Sequence, residues 1–241
     1  MVTKKPDYNA YTVGWDAVVS DLRGSHGGVL HYDAGKFKDN RVFHITSYLN
    51  QQPSLLLTAT QRLRPDHEFD LRQMENYIRQ VCSKLARLLA PRTYPIPGWE
   101  RDQLFTSSYE HTSNGDCSRC DCAYPMKRID RESDIPVVHY GLISSGSAIM
   151  RSAQRRDELR DEWDICCFEM EAAGLMDDFP CIVIRGICDY SDGHKNKEWQ
   201  PYAVITAAVY AKDLLRVVHS QAVEEAVPVL EVLNDVSCTL D

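Results

Sequence analysis

Apolar segments typical of β-strands alternate with helical patterns through the second half of the chain. Strands are predicted at 137–146, 165–168 and 180–187, and helices at 152–163 and 201–218. Because strands followed by helices build a sheet that the helices cover, this order predicts an α/β fold with a mostly parallel or mixed sheet. The segment 180–187 is nearly continuous in apolar residues, which predicts a strand buried on both faces.

The first half of the chain shows the same patterns less regularly. A short buried strand is predicted at 16–20, and a glycine-containing loop or bulged hairpin at 24–33. Apolar residues at three- and four-residue spacing predict helices at 53–63, which has proline in its first turn, and at 69–89. Residues 91–135 are rich in Pro, Asp, Ser and Arg, so we expect an excursion on the surface.

The composition restricts the class of protein. The chain has 241 residues, 44% of them hydrophobic, which suits one domain with a sizeable core. The formal net charge of −8 disfavours a nucleic acid polymer as partner. No apolar run approaches the ~20 residues that cross a membrane, and the first residues lack the apolar core of a signal sequence. We therefore expect a cytoplasmic chain with reduced cysteines.

Two acidic residues stand where functional groups collect in α/β folds. Glu171 begins a predicted helix of small residues, and Asp189 follows the apolar strand. A carboxylate can accept both hydroxyls of a ribose, and a carboxylic acid can protonate a leaving base, so the pair suits cleavage of a ribosyl C–N bond. Each position also has a structural alternative, because an acid in a first helical turn stabilises the helix dipole and an aspartate after a strand caps a turn.

The segments 168–172 (Phe-Glu-Met-Glu-Ala) and 187–192 (Ile-Cys-Asp-Tyr-Ser-Asp) resemble signatures of the nucleoside phosphorylase superfamily, and most closely those of the methylthioadenosine/S-adenosylhomocysteine nucleosidases. The segments 168–180 and 185–203 resemble the fungal version, which is often the amino-terminal domain of NOD-like or ankyrin-repeat proteins. The resemblance covers most of one domain at 16–218, between an amino-terminal segment, 1–15, and a tail, 219–241. It implies a three-layer α/β/α sandwich and a homo-oligomer, and the mechanism implies no metal or organic cofactor.

The resemblance also assigns roles to individual residues. Glu171 would bind the ribose hydroxyls, Met170 would pack on the sugar face, and Asp189 would be the general acid at purine N7. Phe168 would form a wall of the base pocket. The turn beside the base corresponds to Ser145, Gly146 and Ser147. The implied function is N-glycosidic cleavage of a purine nucleoside or nucleotide, with water or phosphate as the acceptor.

Two further positions near this site qualify the resemblance. The family often has an aromatic residue that stacks on the base two positions after Ser147, and this chain has Ile149 there. Arg185 precedes the acid on its strand, so we expect a core or electrostatic supporting role for it.

The amino end departs from the family. Residues 11–15 look like the family's opening strand, whereas 16–20 looks like a strand that normally comes much later, so the fold is predicted to be truncated at this end. The missing stretch carries a water-activating acid, for which Asp16, Asp21 and Asp33 are alternatives by position only. We expect the remaining strands to close around the gap, or a partner chain to cover the exposed edge. The second functional hypothesis is therefore a catalytically inactive nucleoside-sensing or protein-interaction module.

A cysteine motif lies in the excursion. Cys117, Cys120 and Cys122 could hold zinc tetrahedrally with His111, and the alternatives are plain reduced thiols or a redox-labile pair. Cys188 has no activating histidine beside it in sequence, so it is expected to pack rather than to act as a nucleophile. Structural positions without chemistry are predicted for His139 and Tyr140 in the core, and for Arg151, Arg155, Arg156 and the turn at 194–197 in solvent.

Overall fold

The computed structural model describes residues 15–22, 24–38, 43–69, 72–88, 98, 101–111, 117, 120, 125–126, 135–195 and 197–218. The strands are β1 (Ala17–Ser20), β2 (Val29–His31), β3 (Gly35–Phe37), β4 (Phe43–Ile45), β5 (Val138–Ser145), β6 (Ile165–Glu169) and β7 (Ile184–Gly186). The α-helices are α1 (Ser54–Phe69), α2 (Arg72–Leu88), α3 (Ala153–Trp163) and α4 (Gln200–Val217), and a short 3-10 helix covers Ala172–Gly174.

Among the described residues, β5 is the centre of a mixed five-stranded sheet. β1 pairs in parallel with the first half of β5, and β2 pairs in parallel with its second half. β6 also pairs with β5 in parallel, whereas β7 pairs with β1 in the antiparallel direction. β3 and β4 form a separate antiparallel ladder. The predicted α/β fold with a mixed sheet is confirmed.

β1 lies directly after the point where the family's sequence is interrupted. Trp15, Ala17, Val18 and Val19 are all buried. β1 has β5 along one edge and β7 along the other, so its backbone groups are hydrogen bonded on both sides. β1 therefore presents no open edge among the described residues, and the truncation expected from the sequence stays a prediction. Residues 11–14 lie outside the described part of the chain.

The two faces of the sheet have separate cores, because side chains alternate along each strand. On one face, Tyr140 packs against α1 and α4, and Leu142 packs against α3. On the other face, Ile143 packs with Val18 and Ile187. The short 3-10 helix covers β2 on this second face. Helical elements thus lie on both faces, as a layered α/β fold requires.

The backbone of β7 runs directly against α4. A Cβ atom on Gly186 would meet the backbone of Ala203, so the strand and the helix can approach this closely only with glycine here. α4 begins at Gln200 and has Pro201 at its start, where the missing amide costs no helical hydrogen bond. This contact fixes the end of β7, and Asp189 follows three residues later along the chain.

Two predicted elements of the sheet are wrong in part. The strand predicted at 180–187 is limited to β7, which is only half-buried. The ladder ends at Val183, because its amide donates to the hydroxyl of Ser20 at 2.8 Å. The hairpin alternative at 24–33 is also wrong, since β2 runs parallel to β5.

Four of the five predicted helices are confirmed as α-helices, with shifted ends. Ser152 caps α3 by accepting the amide hydrogen of Arg155 at 3.2 Å. Among the described helices, none combines the length and apolarity that a membrane span needs. The domain limits 16–218 stay a prediction, and residues 1–14, 219–241 and most of 91–135 lie outside the described part of the chain.

Candidate active site

A pocket of about 230 Å³ lies between β6 and the segment that follows β7. Phe168, Met170, Glu171 and Asp189 all line it, so the structure brings these four predicted residues together. β7 is antiparallel to β1. The segment after β7 lies close to β6, because Ile187 packs in the same apolar cluster as Cys167 of β6. The pocket is therefore built by tertiary packing and not by one edge of a parallel sheet.

The predicted turn beside the base does not line this pocket. Ser145 is buried, and its hydroxyl accepts the amide hydrogen of Ala173 at 2.8 Å. The amide of Ser147 donates to Asp33 at 2.7 Å, so it is already engaged. Gly146 lies between them, with Tyr32 and Asp33 so close that a Cβ would collide with them. The pocket is lined instead by the next three residues, Ala148, Ile149 and Met150.

Glu171 presents a largely exposed carboxylate to the pocket. Its Oε2 lies 3.1 Å from Nη1 of Arg185 and accepts the amide hydrogen of Met170 at 3.3 Å. Partial burial opposes ionisation, but the guanidinium of Arg185 and the backbone donor outweigh it, so the pKa of Glu171 lies below its usual value. Glu171 is therefore an ionised acceptor, and Arg185 takes the electrostatic role expected of it.

The sequence analysis missed Glu169, which also lines the pocket. Its buried carboxylate accepts the amide hydrogens of Glu171 at 2.9 Å and Ala172 at 3.0 Å. The predicted helix beginning at Glu171 is consequently only the 3-10 helix of three residues. Glu169 fixes the backbone of Glu171, and since glutamate is not among the usual capping residues, no local signal identifies this role.

Asp189 lies in a loop, residues 188–195, that we call the acid loop. Its Oδ1 accepts the amide hydrogen of Ser191 at 2.9 Å, and its Oδ2 lies 3.3 Å from the ammonium of Lys195. Ser191 has a φ of +53°, a left-handed conformation that few non-glycine residues adopt. The tight turn and the lysine together hold the carboxylate in one orientation.

Arg156 is the second residue that the sequence analysis misjudged. It was expected on the exposed face of α3, but only 7% of it is exposed, and it lines the pocket. Its Nη1 donates to the carbonyl of Tyr190 at 2.7 Å and lies 3.5 Å from Oδ2 of Asp192. Arg156 thus ties α3 to the acid loop. The signal was the buried Leu159, which lies three residues later and shares its helix face.

The turn predicted in solvent at 194–197 begins in the interior. His194 is only 8% exposed, and its ring stacks on Phe105 with centroids 4.1 Å apart. The prediction for His194 is therefore wrong, because aromatic residues more than eighty positions earlier cover it. Lys195, which follows it, contacts Asp189 as described above.

Cys188 lines the pocket but is poorly suited to act as a nucleophile. Burial, followed by the neighbouring carboxylate of Asp189, raises the pKa of the Cys188 thiol to about 11. Its Sγ donates to Oδ2 of Asp189 at 3.4 Å. The packing role expected for this thiol agrees with these contacts.

The three positional alternatives for a water-activating acid are not among the residues that line the pocket. Each has a partner of its own: Asp16 bonds His139 at 2.8 Å, Asp21 pairs with Arg64 at 3.2 Å, and Asp33 accepts from Ser147 at 2.7 Å.

Comparison with curated proteins finds related sequences. The chain is 40% identical over 209 residues to a nucleotide-binding leucine-rich repeat (NLR)-like protein from Hyaloscypha variabilis, a match that covers 87% of this chain and 20% of the relative. It is 30% identical over 86 residues to the ATP nucleosidase Cap17 of Escherichia coli, covering 33% of this chain and 17% of that protein. The chain thus spans about a fifth of the length of the curated relatives it matches. No family model matches it.

Solved structures also match the fold at low identity. The 5′-methylthioadenosine/S-adenosylhomocysteine nucleosidase of Neisseria meningitidis, in complex with methylthio-immucillin-A, has a TM-score of 0.44 and 16% identity. A putative nucleosidase of the same kind from Francisella philomiragia has a TM-score of 0.41 and 14% identity. Each match covers 87% of this chain and 63% of the solved chain. The curated relatives agree with the predicted resemblance: this chain is similar over 86 residues to an ATP nucleosidase and, over most of its length, to an NLR-like protein.

Proposed function

We propose that this chain cleaves the N-glycosidic bond of a purine nucleoside or nucleotide, with Glu171 holding the ribose and Asp189 protonating the base. One observation carries the proposal: Phe168, Met170 and Glu171, from the end of β6, share a single pocket with Asp189. These are the residues to which the family resemblance assigns the base wall, the sugar face, the ribose hydroxyls and the general acid.

Glu171 has the charge state that ribose binding needs. A carboxylate accepts hydroxyl hydrogens through charge-assisted bonds, and the lowered pKa of Glu171 keeps it ionised at neutral pH. Arg185 and the amide of Met170 both contact Oε2, so Oε1 is the oxygen offered to the 2′ and 3′ hydroxyls. The same negative charge would stabilise the positive charge that develops on the sugar as the bond breaks.

We assign to Asp189 the proton that the leaving base takes. The amide of Ser191 bonds Oδ1, and we assign the proton to Oδ2, which the thiol of Cys188 and the ammonium of Lys195 contact in the structure. In the structure, Lys195 lies 3.3 Å from Oδ2. We expect Lys195 to move away from Oδ2 when substrate binds, because its ammonium lies where the base would approach this oxygen.

The name of one relative supports a nucleotide as a test substrate. ATP nucleosidase Cap17 matches 86 residues of this chain, so ATP belongs in the substrate panel beside nucleosides. The acceptor, water or phosphate, and the assembly into a homo-oligomer stay predictions.

The second candidate function is nucleoside sensing or protein interaction without turnover. Among the described residues, the acids that line the pocket are Glu169, Glu171 and Asp189. Glu169 is engaged as a cap, and the other two are already assigned to sugar and base. Hydrolysis needs an additional group to activate water, which favours this alternative, as does the similarity to an NLR-like protein.

The test is release of free purine base, measured by chromatography. The panel is adenosine, inosine, guanosine, methylthioadenosine, AMP and ATP, each with and without phosphate. Base release supports the enzyme, and its dependence on phosphate identifies the acceptor. If a well-folded protein binds a purine nucleoside by calorimetry but releases no base, the enzyme proposal is overturned and the sensing module is supported.

A further inference from the structure

Three potential metal ligands come together away from the pocket. The ligand atoms of His111, Cys117 and Cys120 all lie within 4.8 Å of one another. The amide of Cys120 donates to the carbonyl of Cys117 at 3.0 Å, so the chain turns between the two thiols and brings them to one place. All three residues are half-buried.

Zinc fits this donor set. Zinc is bound tetrahedrally by thiolates and imidazole, with Zn–S bonds of about 2.3 Å and Zn–N bonds of about 2.0 Å, so its ligand atoms are about 3.6–3.8 Å apart. The three atoms need to move only slightly to reach that spacing. Soft sulfur ligands also disfavour Mg²⁺ and Ca²⁺, which prefer oxygen. We propose that His111, Cys117 and Cys120 bind one zinc ion, with a fourth position left for water or a further side chain. Cys122 lies outside the described residues.

The cluster lies directly against the acid loop. The thiol of Cys117 lies 3.6 Å from the carbonyl of His194, and the ring of His111 meets that of His194 edge-on with centroids 5.0 Å apart. A Cβ atom added at Gly193 would lie 3.3 Å from the Cβ atom of His111, so the two segments approach closely at this glycine. These contacts join the excursion to residues 193 and 194, more than seventy positions away in the sequence.

Bound zinc would therefore have a structural role. It would hold the excursion against the acid loop and limit the movement of the segment that carries Asp189 and Lys195. Metal that binds the folded chain and not the unfolded chain stabilises the fold by mass action. The metal proposal does not depend on any substrate. Zinc binding can therefore fail while the proposed function holds, and the proposed function can fail while zinc binds.

The first test is the zinc content of the full chain, purified with zinc and then desalted, by mass spectrometry. We expect about one zinc per chain in the wild type and a loss of most of it in Cys117→Ser and in His111→Ala. Cys82→Ala is the matched control. Cys82 lies on α2 against an apolar core cluster, so this variant must retain the metal. Chelation is expected to lower the Tm by about 5 °C or more.

A second measurement does not require any variant to fold. The wild-type chain is loaded with Co²⁺, and its absorption is recorded. Thiolate-to-cobalt charge-transfer bands with tetrahedral d–d intensity support the site. The proposal is overturned if the chain binds neither zinc nor cobalt and its Tm does not change when chelator is added. It is also overturned if Cys117 and Cys120 are found as a disulfide under reducing purification.

Discussion

Arg156 offers the sharpest test of how α3 holds the acid loop. Its guanidinium is buried and contacts the carbonyl of Tyr190 at 2.7 Å and the carboxylate of Asp192 at 3.5 Å. Asp192 is itself only 2% exposed, so water cannot replace the lost cation. We predict that Arg156→Met, which keeps the length of the side chain without its charge, strongly destabilises the fold.

The magnitude follows from these contacts. Breaking a buried ion pair by removing one partner costs about 3–5 kcal/mol, because the other charge stays buried. We expect the lower end, about 3 kcal/mol, because the separation between Arg156 and Asp192 is long for an ion pair. At about 2–4 °C per kcal/mol for a domain of this size, the Tm should fall by about 6–12 °C.

The assay is urea denaturation of Arg156→Met beside Arg155→Met. Arg155 lies on the same helix but pairs with Glu158 on the surface, so its replacement should cost about 0.5 kcal/mol or less. Adding Asp192→Asn should recover part of the loss in Arg156→Met, because the uncompensated charge is then removed. Equal losses for the two arginine variants, or no recovery with Asp192→Asn, would refute the reasoning.

Three further predictions test other parts of the structure. Gly186→Ala should destabilise by about 1–3 kcal/mol in urea, since the new methyl group meets the backbone of Ala203, and an unchanged midpoint would contradict this contact. Cys188, with its pKa raised to about 11, should react with iodoacetamide at pH 7.5 about a hundredfold more slowly than an ordinary thiol, as mass spectrometry can follow. Because the pKa of Glu171 is lowered, its carboxylate stays ionised as the pH falls from 7 to 5. Nucleoside affinity of the wild type, measured by calorimetry, should therefore be the same at pH 5 as at pH 7, and a decline by pH 6 would count against an ionised acceptor.

Several helices and strands could be predicted from local sequence patterns. β5, α3, β6 and α4 each lie close to the predicted limits, because apolar spacing and a capping residue such as Ser152 act within a few residues. The strand predicted at 180–187 failed because the Ser20 hydroxyl, more than a hundred and sixty residues away, takes the amide of Val183. No local pattern contains that information.

In the candidate site, too, some residues could be predicted from local patterns and others could not. Phe168, Met170, Glu171 and Asp189 could be named from short motifs, and they line one pocket. Arg156 and His194 could not, because a charged residue in a polar helix or turn gives no local sign of burial. Their surroundings come from residues distant in sequence, such as Asp192 for Arg156 and Phe105 for His194. Side chains that support a site through such contacts become visible only in the fold.

The central claim is that Asp189 donates the proton that releases the base. The most direct measurement is the kcat for purine release by Asp189→Asn beside Asp178→Asn, an exposed acid in a neighbouring turn. We expect the kcat to fall by about a hundredfold or more in Asp189→Asn, with nucleoside affinity retained, and to be unchanged in Asp178→Asn. Turnover by Asp189→Asn at the wild-type rate would contradict the account.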